Sequence, residues 1–176
     1  MPELTPLTIA IWDDPILSTV CAPVEDDEFG EGLETLGKQM LLTMKNGNGI
    51  GLAAPQCGLE KRLFVMRRSV GGHHGEEIIA VNPTVEAFGE WQVHQEGCLS
   101  FPNIYGMVSR QTECHLTYQE PLKGESWTVR LSGYDAFCAS HELDHTFGIM
   151  FFDKKRMPKG IRKKVLEQWE KSRKGK

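Results

Sequence analysis

The chain has 176 residues, of which 40% are hydrophobic, and this length and composition suit one globular domain with an adequate core. Its five cysteines form no Cys-x-x-Cys pair, which argues against a zinc ribbon or a disulfide framework and fits a reducing compartment. The first residues lack a secretion signal and no segment approaches the roughly 18 apolar residues of a membrane span, so we expect a cytoplasmic protein without membrane contact.

The spacing of apolar, glycine and proline residues predicts a mixed fold. In chain order, we expect a helix at residues 33–45, strands at 62–68, 78–82, 108–118 and 126–131, turns at 71–75 and 121–124, and a helix at 134–147 that Gly148 terminates. This order favours the α+β class, with antiparallel sheets around a central metal-binding helix and an amphipathic helix at the C-terminus.

The C-terminal segment differs in charge from the rest of the chain. Residues 154–176 contain eleven Lys or Arg against two acids, a net charge of +9, so residues 1–153 carry −13 of the total of −4. Pro158 suits the first turn of a helix. The apolar positions that follow lie on one helical face: Ile161, Val165, Leu166 and Trp169. We therefore expect one domain over residues 1–157, with residues 158–176 forming a basic helix and tail packed on it.

Histidines outside the predicted central helix have no obvious partners. His73 and His74 are flanked by glycines, which indicates a turn rather than a metal site. His94 and His115 lie in strand-like sequence with no partner at ligand spacing, so we expect them to be structural or surface residues.

His141, Glu142 and His145 carry the clearest chemical signal. On a helix, imidazoles at positions i and i+4 point from one face toward a single metal ion, and the glutamate after the first histidine can reach that ion's water. This geometry is typical of metal-assisted hydrolysis. Taken alone, however, the motif is equally compatible with an ordinary helix whose histidines are solvated or capped.

A third metal ligand must come from elsewhere in the chain. Downstream of the helix, the candidates are the acids Asp153, Glu167 and Glu170. Upstream, Cys98 lies in the tight segment Glu-Gly-Cys-Leu-Ser, which could expose a thiolate at the end of a strand. By itself, a free cysteine is more often a small buried apolar residue.

Three segments together resemble the peptide deformylase family. These are Gly-Ile-Gly-Leu-Ala-Ala-Pro-Gln at residues 49–56, Glu-Gly-Cys-Leu-Ser at 96–100 and His-Glu-Leu-Asp-His at 141–145. The similarity in order and spacing extends from about residue 13 to residue 153. Ser140 and Thr146 depart from the family, where glutamine and leucine are usual. Neither position is a metal ligand in the family, so the departures concern packing behind the metal helix and the shape of the pocket.

The resemblance implies an enzyme that removes the N-formyl group from the N-terminal methionine of newly made polypeptides and releases formate. Residues 1–157 would be its catalytic domain. Cys98, His141 and His145 would hold one divalent metal ion. The resemblance favours Fe²⁺, and the softness of the ligands is also compatible with Zn²⁺, Ni²⁺ or Co²⁺.

The resemblance also implies a role for each further site residue. Glu142 would act as general base and then general acid, with the Gln56 amide and the Leu99 N–H stabilising the oxyanion. Gly49 and Gly51 would pair with the extended substrate, and Phe137 and Cys138 would line the methionine pocket. Glu96 and Arg110 would form an ion pair that braces the cysteine segment, although a solvated surface pair is the alternative.

The expected partners are N-formylmethionyl nascent peptides, and we expect no binding to DNA. The basic C-terminal helix could contact ribosomal RNA, because phosphate attraction needs no sequence reading, or it could be a solvated face beside an acidic body. Two other functions are a metallopeptidase, which the missing downstream histidine argues against, and a catalytically silent peptide-binding protein. An intact Glu142 argues against the latter, because binding alone needs no general base.

Overall fold

The computed structural model describes residues 4–70 and 73–174, with the side chains of residues 70, 73 and 74 outside that description. Of the turn predicted at 71–75, residues 71 and 72 lie outside the described residues, whereas 73–75 are part of a strand rather than a turn. The interpretation of the His73 and His74 side chains also lies outside the described residues. The described chain contains three α-helices and five strands. It confirms the α+β class.

All five strands join in one antiparallel sheet. The strands are β1 (Gly51–Ala53), β2 (Leu63–Val70), β3 (His73–Cys98), β4 (Phe101–Gln119) and β5 (Ser126–Ser132), and each pairs with the next in that order. Each predicted strand therefore lies within an observed one, apart from a residue at its end, but the sheets expected in the plural form a single sheet. β1 was not predicted, because three residues in a glycine-rich run give no periodic signal.

The long β3–β4 hairpin dominates the sheet. Its register shifts after Val81, after Phe88 and after Gly97, and such bulges let long strands bend. Cys98 ends β3 and pairs with Phe101, the first residue of β4. The two-residue turn between them places the cysteine at the tip of the hairpin.

Helix α1 (Glu31–Asn46) covers one side of the sheet beside β1 and β2. Its apolar residues recur at helical spacing, and the buried ones are Leu33, Met40, Leu41 and Met44. An added Cβ at Gly37 would lie 2.5 Å from Ile79 Cγ2. Glycine at this position therefore allows the helix to approach β3 closely.

Helix α2 (Tyr134–Thr146) lies at the centre of the molecule and contacts every strand. It begins after Gly133 (φ 56°) and ends before Gly148 (φ 68°), both in the left-handed region that favours glycine. The helix therefore ends before Gly148, as the sequence predicted. Thr146 is fully buried and its hydroxyl donates to the Leu143 carbonyl at 2.8 Å, so its polar group is satisfied within the helix.

Helix α3 (Lys159–Lys174) packs against β4 through its apolar face. Val165 and Trp169 are buried, and the Trp169 ring stacks on Phe101 with centroids 4.5 Å apart. Its basic residues lie on the opposite face, where the Lys163 side chain is 78% exposed. None of the described helices is both long enough and apolar enough to cross a lipid bilayer.

Candidate metal centre and active site

The structure brings Cys98, His141 and His145 together. Their ligand atoms all lie within 4.8 Å of one another. His141 Nε2 and His145 Nε2 are 3.1 Å apart, and Cys98 Sγ lies 3.4 Å from His145 Nε2. Among the described residues this is the one convergent group of three such ligands, and the downstream acids Asp153, Glu167 and Glu170 do not belong to it.

The chemistry of the donors fits a divalent transition-metal ion. One thiolate and two imidazoles leave a fourth position open, as in catalytic rather than structural sites. Burial, which disfavours the charged form, holds the pKa of His145 well below its ordinary value. His145 is therefore neutral, and a neutral imidazole has the lone pair that a metal requires.

Glu96 fixes the orientation of His141. Its Oε2 accepts a hydrogen bond from His141 Nδ1 at 2.8 Å, which leaves Nε2 of the ring facing His145 Nε2. Glu96 also accepts hydrogen bonds from Arg110, whose Nη2 lies 3.0 Å from Oε2. Glu96 and Arg110 are both more than nine-tenths buried. Although burial opposes ionisation, hydrogen bonds from His141, His94 and Arg110 hold the pKa of Glu96 far below its ordinary value.

Asp144 completes this buried charge network. Its Oδ2 accepts from Arg110 at 2.9 Å and from Arg156 Nε at 2.8 Å. Arg110 thus lies between two carboxylates, Glu96 on one side and Asp144 on the other. The sequence motif contains Asp144, but its role depends on arginines 34 and 12 residues away in the chain. Only the fold could reveal it.

Glu142 is buried beside the ligand group. Burial raises its pKa to about 7, a shift that His141 opposes and Glu96 reinforces. Among the described residues its Oε2 has no hydrogen-bond partner. A buried carboxyl group with a pKa near neutrality can both accept and release a proton, as a general base and acid must.

Two glycines bring β1 close to the metal helix and to the cysteine hairpin. A Cβ built on Gly51 would lie 2.4 Å from Glu142 Oε1 and 2.7 Å from Cys138 Sγ. At Gly49, a Cβ would lie 2.8 Å from Leu99 Cδ1. The absence of side chains at these two positions lets the backbone before β1, Glu142 and the Leu99 segment border the same cavity.

Gln56 is held in a fixed orientation beside Cys98. Its Oε1 accepts from the Ala53 N–H at 2.9 Å, which orients the amide so that Nε2 donates to Ser100 Oγ at 3.1 Å and to Cys98 Sγ at 3.3 Å. Gln56 is 1% exposed. Its amide N–H groups are thus fixed beside the ligand group. Ser100, whose role was not predicted, provides one of the two anchors.

These residues surround a cavity of about 520 Å³. Every residue predicted to contact metal, water or substrate lines it except His145, which lies behind the other ligands; the lining includes Gly49, Gly51, Gln56, Cys98, Leu99, Phe137, Cys138, His141 and Glu142. Glu96 also borders the cavity, whereas Arg110 lies behind it.

His94 is the main site residue that the sequence interpretation missed. It was expected to be structural or on the surface, but its side chain is buried and borders the cavity. Its Nε2 donates to Glu96 Oε1 at 2.8 Å. Its position two residues before Glu96, on the same face of a strand, was the available signal. His115, by contrast, is exposed as expected.

A family model for polypeptide deformylase matches residues 6–160. This chain belongs to the polypeptide deformylase family. Members of the family are metal-dependent hydrolases that act on formylated nascent polypeptides.

Individual relatives agree with the family match. The peptide deformylase of Thermotoga neapolitana is 34% identical over 162 residues, which cover 90% of this chain and 94% of the relative. Peptide deformylase 1B of Arabidopsis thaliana, a chloroplastic and mitochondrial protein, is 36% identical over 167 residues, but the match spans only 59% of its length. The chain thus covers little more than half of the plant relative.

Solved structures of the family share the fold. The crystal structure of peptide deformylase from Thermus thermophilus superposes with a TM-score of 0.81 at 37% identity and covers 92% of each chain. A Legionella pneumophila peptide deformylase gives a TM-score of 0.84 at 30% identity, over 97% of this chain and 96% of the other. The single antiparallel sheet around α2 is therefore the fold of the family.

Proposed function

We propose that this protein hydrolyses the N-formyl group of N-formylmethionyl nascent peptides in the cytoplasm, with one divalent metal ion held by Cys98, His141 and His145. The observation that carries this proposal is the convergence of these three ligands beside the buried Glu142, at a cavity that an extended peptide can enter. The family resemblance favours Fe²⁺ as the native ion, and the Cys/His/His ligands are also compatible with Zn²⁺, Ni²⁺ or Co²⁺.

When bound, such an ion supplies Lewis acidity and lowers the pKa of a coordinated water. Glu142 takes the proton of the attacking water on its carboxylate and later delivers it to the departing methionine amine. The unpartnered Oε2 is the atom available for this transfer. A pKa of about 7 lets the same group serve in both directions near neutral pH.

Gln56 and Leu99 stabilise the negative charge that develops on the formyl oxygen. The Gln56 amide is already oriented by Ala53 and Ser100, and its Nε2 needs only to exchange its contact with Cys98 Sγ for the developing oxyanion. The backbone N–H of Leu99 is the second donor. Fixed donors of this kind act most strongly in a site from which water is excluded.

The remaining residues hold the substrate and the ligands. The backbone at Gly49 and Gly51 pairs with the extended peptide, where the absence of side chains leaves room for it. Phe137 and Cys138 receive the methionine side chain. Glu96 and Arg110 orient His141 from behind.

We also propose that residues 1–157 form the catalytic domain and that the basic face of α3 contacts ribosomal RNA. Burial of Val165 and Trp169 supports packing of residues 158–176 on that domain, and the exposed lysines opposite them support a phosphate-binding face. Binding to ribosomes should weaken steeply with salt and with the triple reversal Lys163→Glu, Lys164→Glu and Lys171→Glu. Unchanged binding in that variant would refute the contact.

The deciding experiment measures formate release from a short N-formylmethionyl peptide by anaerobically prepared protein loaded with Fe²⁺ or Ni²⁺. Rapid release that is lost in Glu142→Ala would establish the activity and the role of Glu142. Gln56→Leu should lower the rate by about 10²- to 10³-fold. No release from a sample with verified metal content would refute the proposal and direct attention to peptidase activity or silent binding.

A further inference from the structure

His94 forms a wall of the cavity together with aromatic residues of α2. Its imidazole stacks on the Phe137 ring with centroids 3.9 Å apart and an interplanar angle of 12°. The Tyr134 ring meets His94 edge-on at 6.4 Å and Phe137 edge-on at 5.9 Å. All three side chains border the same cavity as Cys138. The region assigned to the substrate's first side chain is therefore largely aromatic.

Two contacts hold the His94 ring in place. Its Nε2 donates to Glu96 Oε1 at 2.8 Å, and the stack on Phe137 fixes the plane of the ring. Its other nitrogen, Nδ1, is buried with no partner among the described residues. The hydrogen bond to Glu96 accounts for Nε2 of this imidazole. Neither that bond nor packing accounts for the unpaired Nδ1, because buried polar atoms normally have a partner.

We propose that His94 is a specificity-determining residue that, with Phe137, forms an aromatic wall selecting the methionine thioether over a hydrocarbon side chain of the same shape. This inference rests on the proposed deformylase function. A thioether sulfur is polarisable and gains from contact with an aromatic ring, whereas a methylene gains less. An aliphatic wall would accept both side chains almost equally.

Norleucine provides the matched substrate, because it replaces the sulfur of methionine with a methylene. We expect the ratio of kcat/KM for formyl-Met-Ala-Ala to that for formyl-Nle-Ala-Ala to be about two- to tenfold in the unaltered protein. His94→Leu should lower this ratio clearly, because only the Phe137 ring then remains of the aromatic wall. His94→Phe should retain most of it, because an aromatic face remains.

Comparing His94→Leu with His94→Phe separates the effect on substrate specificity from the effect of losing the hydrogen bond to Glu96. Both lose the hydrogen bond from Nε2, so any effect transmitted through Glu96 lowers kcat similarly in both and for both peptides. Only the ratio of kcat/KM between the two peptides measures the contribution of the aromatic wall. A second readout is the affinity of the unformylated products Met-Ala-Ala and Nle-Ala-Ala, measured by titration calorimetry, which should show the same ordering.

The outcomes distinguish this inference from the function on which it rests. Equal use of both peptides by the unaltered protein, or a ratio that His94→Leu leaves unchanged, would overturn the inference while the deformylase activity stands. Absence of formate release from either peptide would overturn both. Because the first comparison needs no variant, the inference can be tested even if His94→Leu fails to fold.

Discussion

Replacing Gly51 with alanine tests whether the contact between β1 and the metal helix sets the geometry of catalysis. The added methyl group would lie 2.4 Å from Glu142 Oε1, and 2.7 Å from both Glu142 Cγ and Cys138 Sγ. This is roughly 1 Å inside ordinary van der Waals contact. Either β1 or the Glu142 side chain must move by that amount.

The Glu142 side chain is the part that yields more easily. Gly51 is paired with Met66 in the sheet, whereas the carboxyl group of Glu142 borders the cavity and can be displaced into it. We therefore expect overpacking to lower the free energy of unfolding by about 1–3 kcal/mol. A displacement of this size at the general base should lower kcat by about 10²-fold.

The assay compares formate release and urea unfolding of Gly51→Ala with those of Gly32→Ala. Gly32 lies in α1, and a Cβ there would meet nothing within 4 Å, so this control should keep normal activity and stability. In the double variant Gly51→Ala/Glu142→Ala, part of the lost stability should return, because the clashing carboxyl group is gone. A kcat within about threefold of normal in Gly51→Ala, against the expected loss of about 10²-fold, would refute the reasoning.

Other parts of the site and the core give three further predictions. Glu96→Gln removes an ionised acceptor behind the proposed metal ligand His141 and should weaken metal affinity by about 10- to 100-fold in chelator competition, with Glu113→Gln, a half-buried glutamate paired with Arg130 away from the site, as control. Trp169→Ala should lower the free energy of unfolding by about 3–5 kcal/mol in urea titrations, whereas the more exposed Ile161→Ala should cost far less. Burial raises the pKa of Cys57 to about 12, so its alkylation at pH 8, followed by mass spectrometry, should be about 10³-fold slower than that of a free thiol and should accelerate with rising pH.

Each of these predictions has a contrary result. Equal metal affinity in the Glu96 and Glu113 variants would mean that the buried carboxylate does not orient its ligand. A stability loss below about 1 kcal/mol in Trp169→Ala would mean that α3 is not part of the core. Rapid alkylation of Cys57 at pH 8 would mean that its surroundings do not disfavour the thiolate.

The central helix shows how far local sequence information reaches. The i, i+4 spacing of His141 and His145 fixes their common face once the segment is helical, and the structure has α2 at Tyr134–Thr146 against a prediction of 134–147. α1 and α3 were likewise predicted from apolar spacing and glycine or proline signals. These features depend on residues within a few turns of one another.

β3 shows the opposite case. Only residues 78–82 were predicted as strand, but β3 extends over His73–Cys98. Its second half contains polar and exposed residues, and it is a strand because β4 supplies the hydrogen bonds. Local propensity carries little information about such pairing, so the length of the hairpin could not be predicted.

The sequence by itself predicted which groups would carry the proposed chemistry: the thiol of Cys98, the imidazoles of His141 and His145, and the carboxyl group of Glu142. The chemical types and the local spacing of these residues indicate which of them can bind a metal ion and which can transfer a proton. The tertiary structure alone decided which distant groups surround them: the Gln56 amide beside Cys98, Arg110 between Glu96 and Asp144, and His94 stacked on Phe137. Those contacts join residues far apart in the chain, and strand pairing and core packing, rather than any local pattern, bring them within bonding distance.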